Sequence, residues 1–393
     1  MDRRRFFKAG LALGASALVG PLVNRGRLSL AAGLPDISTH ALDLVNSSVV
    51  LDMLGLFTLS WGRLARWQRE PASIDSRHLR WLKAAGVTVY HHAVELNHPQ
   101  PYQAALRSFA RWNELLSGQP CFLTRVDSLA SVLRLSQTGE VGVILGLQNS
   151  THLRSVADVA LFFGLGQRVS QLTYDETNRL GSGCRAGRDR GLTRFGSEVV
   201  TEMNRVGMAI DVSHCGDRTS LDAALLSRRP VLATHTNCRA LVPHQPRCKP
   251  DEVIRGIAAG GGVIGVTLVR NLVAASAPSL DDVLDHFVHV ARLVGVEHVG
   301  LGSDVSLDAV DPVSGRPLPS YDIAGLHPAI RVYQLTDGLL RRGFGKRDIE
   351  LILGGNFLRA LAWIWPDKPL PPLADPWLER RDPFCPPVPL GGI

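Results

Sequence analysis

Two histidines and one aspartate follow apolar runs in the second half of the chain. His214 and His235 come after the fifth and sixth of these runs, and Asp304 comes after the eighth. Imidazole nitrogens and carboxylate oxygens bind zinc in proteins, and the same side chains act as general acids and bases. Each residue alone is more often structural than functional. Three at corresponding positions favour a metal site or an acid–base site.

The apolar runs alternate with amphipathic stretches and predict eight strands joined by helices. The predicted strands are 49–53, 87–91, 141–147, 168–172, 209–212, 230–233, 262–268 and 298–302. Predicted helices include 75–85, 104–116, 197–206, 251–259 and 281–294, followed by 332–342, 346–353 and 356–365. Eight such units over about 250 residues favour a (βα)8 TIM barrel over an open doubly wound sheet. In a barrel, the residues that follow the strands meet at one mouth.

Residues 1–31 are typical of a twin-arginine export signal. Arg3 and Arg4 begin a basic segment, and a moderately apolar stretch at 9–23 leads to small residues near Ala31. An uncleaved membrane helix is the alternative, but it would need about 20 apolar residues, and this stretch is shorter. We therefore expect the twin-arginine export machinery as a partner and a mature protein that is periplasmic or secreted.

The positive charge of the chain lies mainly in this first segment. Residues 1–31 contain six basic residues and one acidic residue, a net charge of +5, which leaves +2 of the total of +7. The remainder therefore has no basic excess that would attract phosphates, and nucleic acid is not an expected partner. Residues 32–365 are predicted to form the barrel domain. Residues 366–393 are rich in proline and are predicted to form an extended tail.

Several motifs in the predicted barrel together resemble the membrane (renal) dipeptidase family. They include Ile210-Asp211-Val212-Ser213-His214, Thr234-His235-Thr236-Asn237, Pro246-Arg247, Gly302-Ser303-Asp304 and Gly354-Gly355-Asn356-Phe357. The similarity covers roughly residues 49–365 and is strongest in the second half. The resemblance implies a barrel of the metallo-dependent hydrolase type that holds two zinc ions, bridged by a carboxylate and a water, and cleaves dipeptides.

The resemblance also implies a role for each matching residue. His214 and His235 correspond to the two histidines that bind the second metal of the family. Arg247 corresponds to the arginine that receives the substrate carboxylate, a role that suits the planar guanidinium group. Asp304 corresponds to the aspartate that takes a proton from the nucleophile and returns it to the leaving amine.

The first half of the chain departs from the family pattern. The family has Asp-x-His-x-Asp in its first strand, whereas here Asp52 is followed by Leu54 and Leu56 at the two metal-binding positions. Gln148 replaces the bridging glutamate after strand three, and Tyr174 replaces a histidine that faces the substrate after strand four. The chain is identified as a diverged bacterial member of the family with altered first-metal ligands.

These replacements are expected to abolish tight binding of the first metal, because apolar side chains do not hold a divalent ion. One zinc ion could remain, bound by His214, His235 and either Asp304 or Gln148, with water in the open position. A neighbouring pair, His91 with the residue after it, could supply a replacement ligand. Adjacent strand residues face opposite ways, so at least one of this pair is expected to pack or to lie at the surface.

The roles of Tyr174 and of the cysteines stay open in the sequence. Tyr174 could contact the substrate and donate a hydrogen bond to the oxyanion, or it could only pack at the barrel mouth. The chain has six cysteines, an even number that is compatible with disulfides in an oxidising compartment. Cys215, Cys238 and Cys248 flank the predicted site and could brace its loops, stay buried as thiols or, less favourably, bind the metal.

Two functions follow from these residues. The retained histidine pair, Arg247 and Asp304 favour a zinc-dependent hydrolase of a dipeptide or a related small amide. Leu54, Leu56 and Gln148 favour instead a catalytically inactive or repurposed barrel that binds a peptide-like ligand. We expect the hydrolase, acting on a small peptide-like substrate. The oligomeric state is left open, with a homodimer among the alternatives.

Overall fold

A closed barrel of eight parallel strands forms the centre of the protein. The computed structural model describes residues 23–24, 27–28, 37–94, 98–138, 140–311 and 314–365. The barrel strands are β1 Leu51–Asp52, β2 Val89–Val94, β3 Val141–Leu147, β4 Gln167–Gln171, β5 Ala209–Asp211, β6 Val231–Thr236, β7 Val263–Val266 and β8 Val299–Leu301. Each strand is parallel to its neighbours, and Leu301 of β8 pairs with Asp52 of β1. The predicted barrel and its closure are therefore confirmed.

Short strands extend this sheet at both ends. Leu123–Arg125 pairs with the first residues of β3, and Gly55–Leu56 pairs with Val305–Ser306 beyond the ends of β1 and β8. A separate antiparallel sheet consists of Val23–Asn24, Arg27–Leu28 and Ile37–Ser38. The extension of β1 and β8 reaches into the loops at the barrel mouth.

The helices agree with the predicted ones to within three residues at each end, except that the second terminal helix continues as a π-helical turn. The α-helices are Thr39–Ser47, Trp61–Arg69, Ser76–Ala84, Pro101–Ser117, Leu129–Thr138, Ala157–Gly164, Arg194–Val206, Asp217–Leu226, Asp251–Ala259, Arg270–Val273, Leu280–Val294, Arg331–Arg341, Lys346–Glu350 and Asn356–Ile364. The 3-10 turns are Pro71–Ser73, Val296–His298, Pro319–Tyr321 and Pro328–Ile330, and the π-helical turn is Leu351–Gly355. None of the described helices has the length and apolar character needed to cross a membrane.

The helix Arg194–Val206 shows how local sequence defines these elements. Thr193 precedes it and accepts a hydrogen bond from the backbone N–H of Gly196 at 2.9 Å, which caps the first turn. Gly207 ends it with φ of 86°, a conformation that glycine adopts without steric cost. Val199 and Met203, four residues apart, are both buried and turn one face of the helix toward the barrel.

The last helix, Asn356–Ile364, closes the end of the barrel where the strands begin. Phe357 and Leu361 belong to one buried cluster with the first residues of the strands. A Cβ atom on Gly300 of β8 would lie 2.3 Å from the ring of Phe357, so this contact requires glycine. The closed end leaves the opposite mouth for ligands.

Two predicted segments lie outside the described residues. Of the export signal predicted at 1–31, the structure describes only residues 23–24 and 27–28. The tail predicted at 366–393 lies entirely outside the described residues. The barrel domain predicted at 32–365 contains most of the described residues.

A buried ion pair joins β1 to the C-terminal helices. Nη2 of Arg331 lies 2.8 Å from Oδ2 of Asp52, and both side chains are fully buried. Asp52 also accepts hydrogen bonds from the backbone N–H and the hydroxyl of Ser303 at 2.7 and 2.5 Å. Asp52 therefore connects β1, the loop after β8 and the helix Arg331–Arg341.

We expect Arg331→Met to lower the free energy of unfolding by about 3–5 kcal/mol, because it leaves the buried carboxylate of Asp52 without its cation. Arg194→Met is the matched control, since Arg194 pairs with Glu198 on the exposed face of a helix at 3.1 Å. The control should change stability by less than about 1 kcal/mol. Urea denaturation measures both variants, and equal losses would contradict a special role for the buried pair.

Candidate active site

The segments after β5 and at the end of β6 bring two imidazole rings together at the barrel mouth. His214 follows β5, and His235 is the penultimate residue of β6. Their Nε2 atoms are 3.1 Å apart, and both side chains are buried. The two histidines predicted from neighbouring strand ends are thus in direct contact.

A carboxylate fixes the ring of His214. Nδ1 of His214 lies 2.6 Å from Oδ1 of Asp175, in the loop after β4. Burial opposes ionisation of Asp175, but the hydrogen bond from His214, together with the charge of Arg247, outweighs it and keeps the pKa of Asp175 below its ordinary value. An ionised carboxylate only accepts, so Nδ1 carries the ring proton. Nε2 of the neutral ring therefore has a bare lone pair.

A second network fixes the ring of His235 in the same sense. Its Nδ1 lies 2.9 Å from Oγ1 of Thr234, and the Thr234 hydroxyl donates to Asp211 at 2.7 Å. A hydroxyl has one proton, so an oxygen that donates it to Asp211 must accept from Nδ1 of His235. Nε2 of His235 consequently also has a bare lone pair.

Two buried lone pairs therefore face each other. Burial, followed by the charge of Arg247, lowers the pKa of His214 to about 3 and that of His235 well below its ordinary value, so neither ring gains a proton at neutral pH. Facing acceptors need an electrophile between them. A tetrahedral zinc ion with Zn–N bonds of about 2.0–2.1 Å would separate its nitrogens by about 3.3–3.4 Å. The observed 3.1 Å is close to this separation, so the pair fits two positions of one ion.

A third protein ligand for such an ion would have to come from a residue other than the two histidines. Within the described ranges, no three His, Cys, Asp or Glu side chains are grouped so that they could hold a metal ion. Gln148, the predicted ligand after strand three, is buried and donates its amide N–H to the carbonyl of Ala93 at 3.0 Å. Its Oε1 is the atom that could bind a cation.

Apolar side chains occupy the positions where the family resemblance implies a first metal. Leu54 is fully buried and Leu56 is buried as well. Asp52, the ligand-type residue in this strand, is bound to Arg331 and to Ser303. The atoms able to bind a cation thus lie mainly on the His214 side of the mouth.

The adjacent residues His91 and His92 face opposite sides of β2. Nδ1 of His91 lies 2.7 Å from the carbonyl oxygen of Met53, and the ring lies over Gly146. Its Nε2 has no hydrogen-bond partner among the described residues. The ring of His92 packs against that of Trp112, with centroids 4.4 Å apart. His92 therefore packs, as expected for one of the two, and His91 is not part of a three-ligand group.

A buried arginine lies beside the histidine pair, and no described carboxylate accepts a hydrogen bond from it. Nη1 of Arg247 donates to the carbonyl oxygen of Ser213 at 2.5 Å, and Nη2 donates to that of His235 at 2.7 Å. All the hydrogen-bond acceptors of its guanidinium among the described residues are neutral. A buried cation that is satisfied only by neutral oxygens suits an anionic group of a ligand.

Asp304 follows β8 in a left-handed backbone conformation. Its φ is 55°, and its N–H donates to the carbonyl oxygen of Leu54 at 2.7 Å. Burial raises the pKa of Asp304 to about 7, an effect that the charge of Arg247 opposes and that of Asp52 increases. A carboxyl group that titrates near neutral pH can both accept and donate a proton in catalysis.

Two tyrosines lie near these groups. The ring of Tyr174 stacks on the ring of His214, with centroids 4.1 Å apart and planes inclined by 18°. Tyr321 ends the turn Pro319–Tyr321, and burial, then the charges of Asp304 and Tyr174, raise its pKa. Contacts thus link Tyr174, the histidine pair and Arg247, whereas the side chains of the other predicted residues, Gln148 and Asp304, form no hydrogen bond with them among the described residues.

The cysteines near the site are thiols. Cys215, Cys238 and Cys248 are buried and free, so the alternative in which they form disulfides that brace the loops is not observed. Burial raises the pKa of all three, which disfavours a thiolate ligand. Cys121, away from the site in sequence, is disulfide-bonded.

Sequence reasoning missed several residues that hold the site together. Asp175, Asp211 and Thr234 fix the two rings, and the buried Lys249 donates to the carbonyl oxygen of Cys215 at 2.5 Å. Asp175 could have been found, because it is a carboxylate immediately after Tyr174 in the loop that follows a strand. Asp211, Thr234 and Lys249 are close in sequence to the predicted site residues His214, His235 and Arg247, and the sequence gives no separate signal for them.

Comparisons with known proteins show which family and which solved structures this chain resembles. A family model described as membrane dipeptidase (peptidase family M19) matches residues 68–364. Dipeptidase verJ of Clonostachys rogersoniana is 31% identical over 247 residues, which cover 61% of this chain and 59% of that protein. Dipeptidase aclJ of Aspergillus oryzae is 32% identical over 257 residues, which cover 63% and 58%. A solved amidohydrolase from Pseudomonas aeruginosa has a TM-score of 0.71 and 28% identity, covering 83% of this chain and 99% of that one.

The chain spans less than three-fifths of the length of the curated relatives named above. The family model nevertheless matches well over half of the chain, and it includes β2 to β8 with the segments that carry both histidines, Arg247 and Asp304. The chain belongs to the membrane dipeptidase family, peptidase family M19.

Proposed function

We propose that this chain is a metallo-dipeptidase-type hydrolase that holds one zinc ion through His214 and His235 and cleaves a dipeptide or a related small amide. The observation that carries the proposal is the pair of buried Nε2 lone pairs 3.1 Å apart. Membership of a metallopeptidase family and the names of its relatives support the substrate class. A zinc ion held there would supply Lewis-acid activation of water.

The side chains around the pair suit the remaining tasks. Arg247, buried and hydrogen-bonded only to neutral oxygens in the part of the chain that the structure describes, binds the carboxylate of the substrate. Asp304 accepts a proton from the attacking water and returns it to the leaving amine, a role that its raised pKa supports. Tyr174, stacked on His214, contacts the substrate and donates a hydrogen bond to the developing oxyanion.

One ion rather than two is proposed because of the residues at the first-metal positions. Leu54 and Leu56 provide no ligand atom, and Gln148 provides a neutral oxygen in place of a bridging carboxylate. We therefore propose that the ligands of the first metal are altered in this chain. Asp304 or Gln148 would provide the further oxygen ligand of a single ion.

A second candidate function is a barrel that binds a peptide-like ligand without cleaving it. The absence of any three-residue ligand group among the described residues favours this function. Arg247 would still bind the carboxylate of such a ligand. Metal content and turnover distinguish the two candidates.

We further propose that the chain is of bacterial origin and is exported to the periplasm or secreted. The Arg3-Arg4 segment supports this location, and so does the disulfide at Cys121, because disulfides persist in oxidising compartments. We also propose a homodimer as one oligomeric state that the chain can adopt.

Purified wild-type protein is expected to contain one zinc ion per chain. His235→Ala should remove it, because one histidine nitrogen and one side-chain oxygen are too few ligands to hold the ion tightly, whereas Leu54→Ala should retain it. Mass spectrometry of the metal content after dialysis measures both variants. A wild-type protein without metal, and without dipeptide turnover after zinc or manganese is added, would exclude the hydrolase and leave the binding protein.

Asp304→Asn is expected to reduce dipeptide turnover by about 10²–10⁴-fold, the contribution of a general acid–base group. Burial raises the pKa of Asp304 to about 7, against about 3.9 for an unfolded chain. The stability that its proton provides is therefore lost as the pH rises from about 4 to about 7. The variant cannot ionise, so its melting temperature should exceed that of wild type by more at about pH 8 than at about pH 5.

Thermal unfolding of chelator-treated protein measures this difference. Asp43→Asn, on the exposed side of the helix Thr39–Ser47, is the control and should show no such dependence on pH. If the melting temperature of Asp304→Asn exceeds that of wild type by the same amount at both pH values, the result would contradict burial of the ionised group.

Replacing Arg3 and Arg4 by lysine is expected to retain the precursor in the cytoplasm of a bacterial host with twin-arginine machinery, since the motif requires paired arginines. Replacing Arg25 and Arg27 by lysine changes the same residue type outside the motif and should leave export intact. Cell fractionation with immunoblotting measures both. Normal export of the first variant would argue against this signal.

A further inference from the structure

One face and one edge of the His214 ring are held by two consecutive residues. Tyr174 stacks on the face, with ring centroids 4.1 Å apart, and Asp175 lies 2.6 Å from Nδ1 at the edge. The carbonyl oxygen of His214 accepts the N–H of Cys184 at 2.8 Å, which ties the same loop to the histidine backbone. The loop after β4 thus encloses His214.

Both oxygens of Asp175 are engaged. Oδ1 accepts from Nδ1 of His214 and from Sγ of Cys184 at 3.4 Å, and Oδ2 accepts from Nε of Arg185 at 2.9 Å. Arg185 is about half exposed, whereas His214 is buried. The carboxylate therefore connects an outer cation to the inner ring.

Asp175 also supplies negative charge beside the buried cations of the site. Arg247 and Lys249 are buried nearby, and Leu54 and Leu56 contribute no anion. A histidine that binds a metal usually donates its other N–H to a carboxylate or carbonyl, which orients the ring and increases the basicity of the ligand nitrogen. The contact between Asp175 and His214 has this geometry.

We propose that Asp175 is a positioning residue: it holds the proton of His214 on Nδ1, presents Nε2 to the zinc ion, and offsets the positive charge of Arg247. The inference rests on the proposed function insofar as His214 is a ligand of zinc. Asp175 does not itself touch the substrate or the ion.

Asp175→Asn tests the role of the charge and of the proton. The amide has one accepting oxygen for the three donors Nδ1 of His214, Sγ of Cys184 and Nε of Arg185, and the charged guanidinium is the strongest of them. The amide NH2 then faces Nδ1, which moves the ring proton to Nε2 and blocks the ligand atom. We expect zinc affinity, measured by competition with a chromophoric chelator, to fall by about 10–100-fold.

Two variants separate positioning from loop stability. Arg185→Met removes the outer cation only and should change zinc affinity by less than about twofold. The double variant Asp175→Asn/Arg185→Met frees the amide oxygen to turn toward His214 and should recover part of the lost affinity. A purely structural role predicts no recovery, because the double variant removes more loop contacts than either single one.

A matched carboxylate elsewhere controls for general effects of the substitution. Asp251 lies 2.8 Å from Nε2 of His289 on the outer helices, away from the mouth. Asp251→Asn should leave zinc affinity unchanged. If it weakens zinc binding as much as Asp175→Asn does, the effect is not specific to the site and the proposal is wrong.

The tautomer of His214 gives a readout that does not depend on metal. Nitrogen-15 NMR of metal-free protein, with the signal assigned by its loss in His214→Gln, should show the Nδ1–H form in wild type and a shift toward the Nε2–H form in Asp175→Asn. Wild-type protein that binds no zinc would overturn the proposed function, while the tautomer comparison would still test Asp175. The same tautomer in both proteins would overturn the positioning role.

Discussion

The contact between the Nε2 atoms of His214 and His235 is the constraint on which the site depends. Two neutral acceptors 3.1 Å apart repel each other, so this contact persists only because the surroundings fix both rings. Asp175 holds one ring from the loop after β4, and the hydroxyl of Thr234 holds the other. Burial and Arg247 keep both rings unprotonated. The fold thus stores an unfavourable contact that a divalent ion would relieve.

The barrel tolerates this contact because its strands are fixed independently of the site. Asp52 pairs with Arg331 and accepts two hydrogen bonds from Ser303, which holds β1 against the loop after β8. The same loop carries Asp304. Asp52 therefore has a structural function at the start of a sequence pattern that is usually associated with metal binding, and this function does not require metal-binding residues at Leu54 and Leu56.

The eight strands were predictable because a parallel strand buried on both faces forms a short apolar run. The predicted histidines, Arg247 and Asp304 were recognisable because they stand at strand ends within familiar motifs. The pairing of Asp52 with Arg331 was not predictable, since the two residues are 279 positions apart. Nor does the sequence reveal ring tautomers. They depend on which atoms of Asp175 and Thr234 face the rings, and this follows from three-dimensional packing.

The charges at the mouth are consistent with one ion and an anionic substrate. A second divalent ion would lie against Leu54 and Leu56 and would be repelled by the first, with no bridging carboxylate to offset the repulsion. For a single ion, Asp175 and Asp211 would supply negative charge behind His214 and His235, and Asp304 can supply another when it is ionised. Two buried cations, Arg247 and Lys249, donate only to neutral acceptors among the described residues. The carboxylate of a dipeptide would neutralise Arg247, so binding of the proposed substrate would offset part of the positive charge at the mouth.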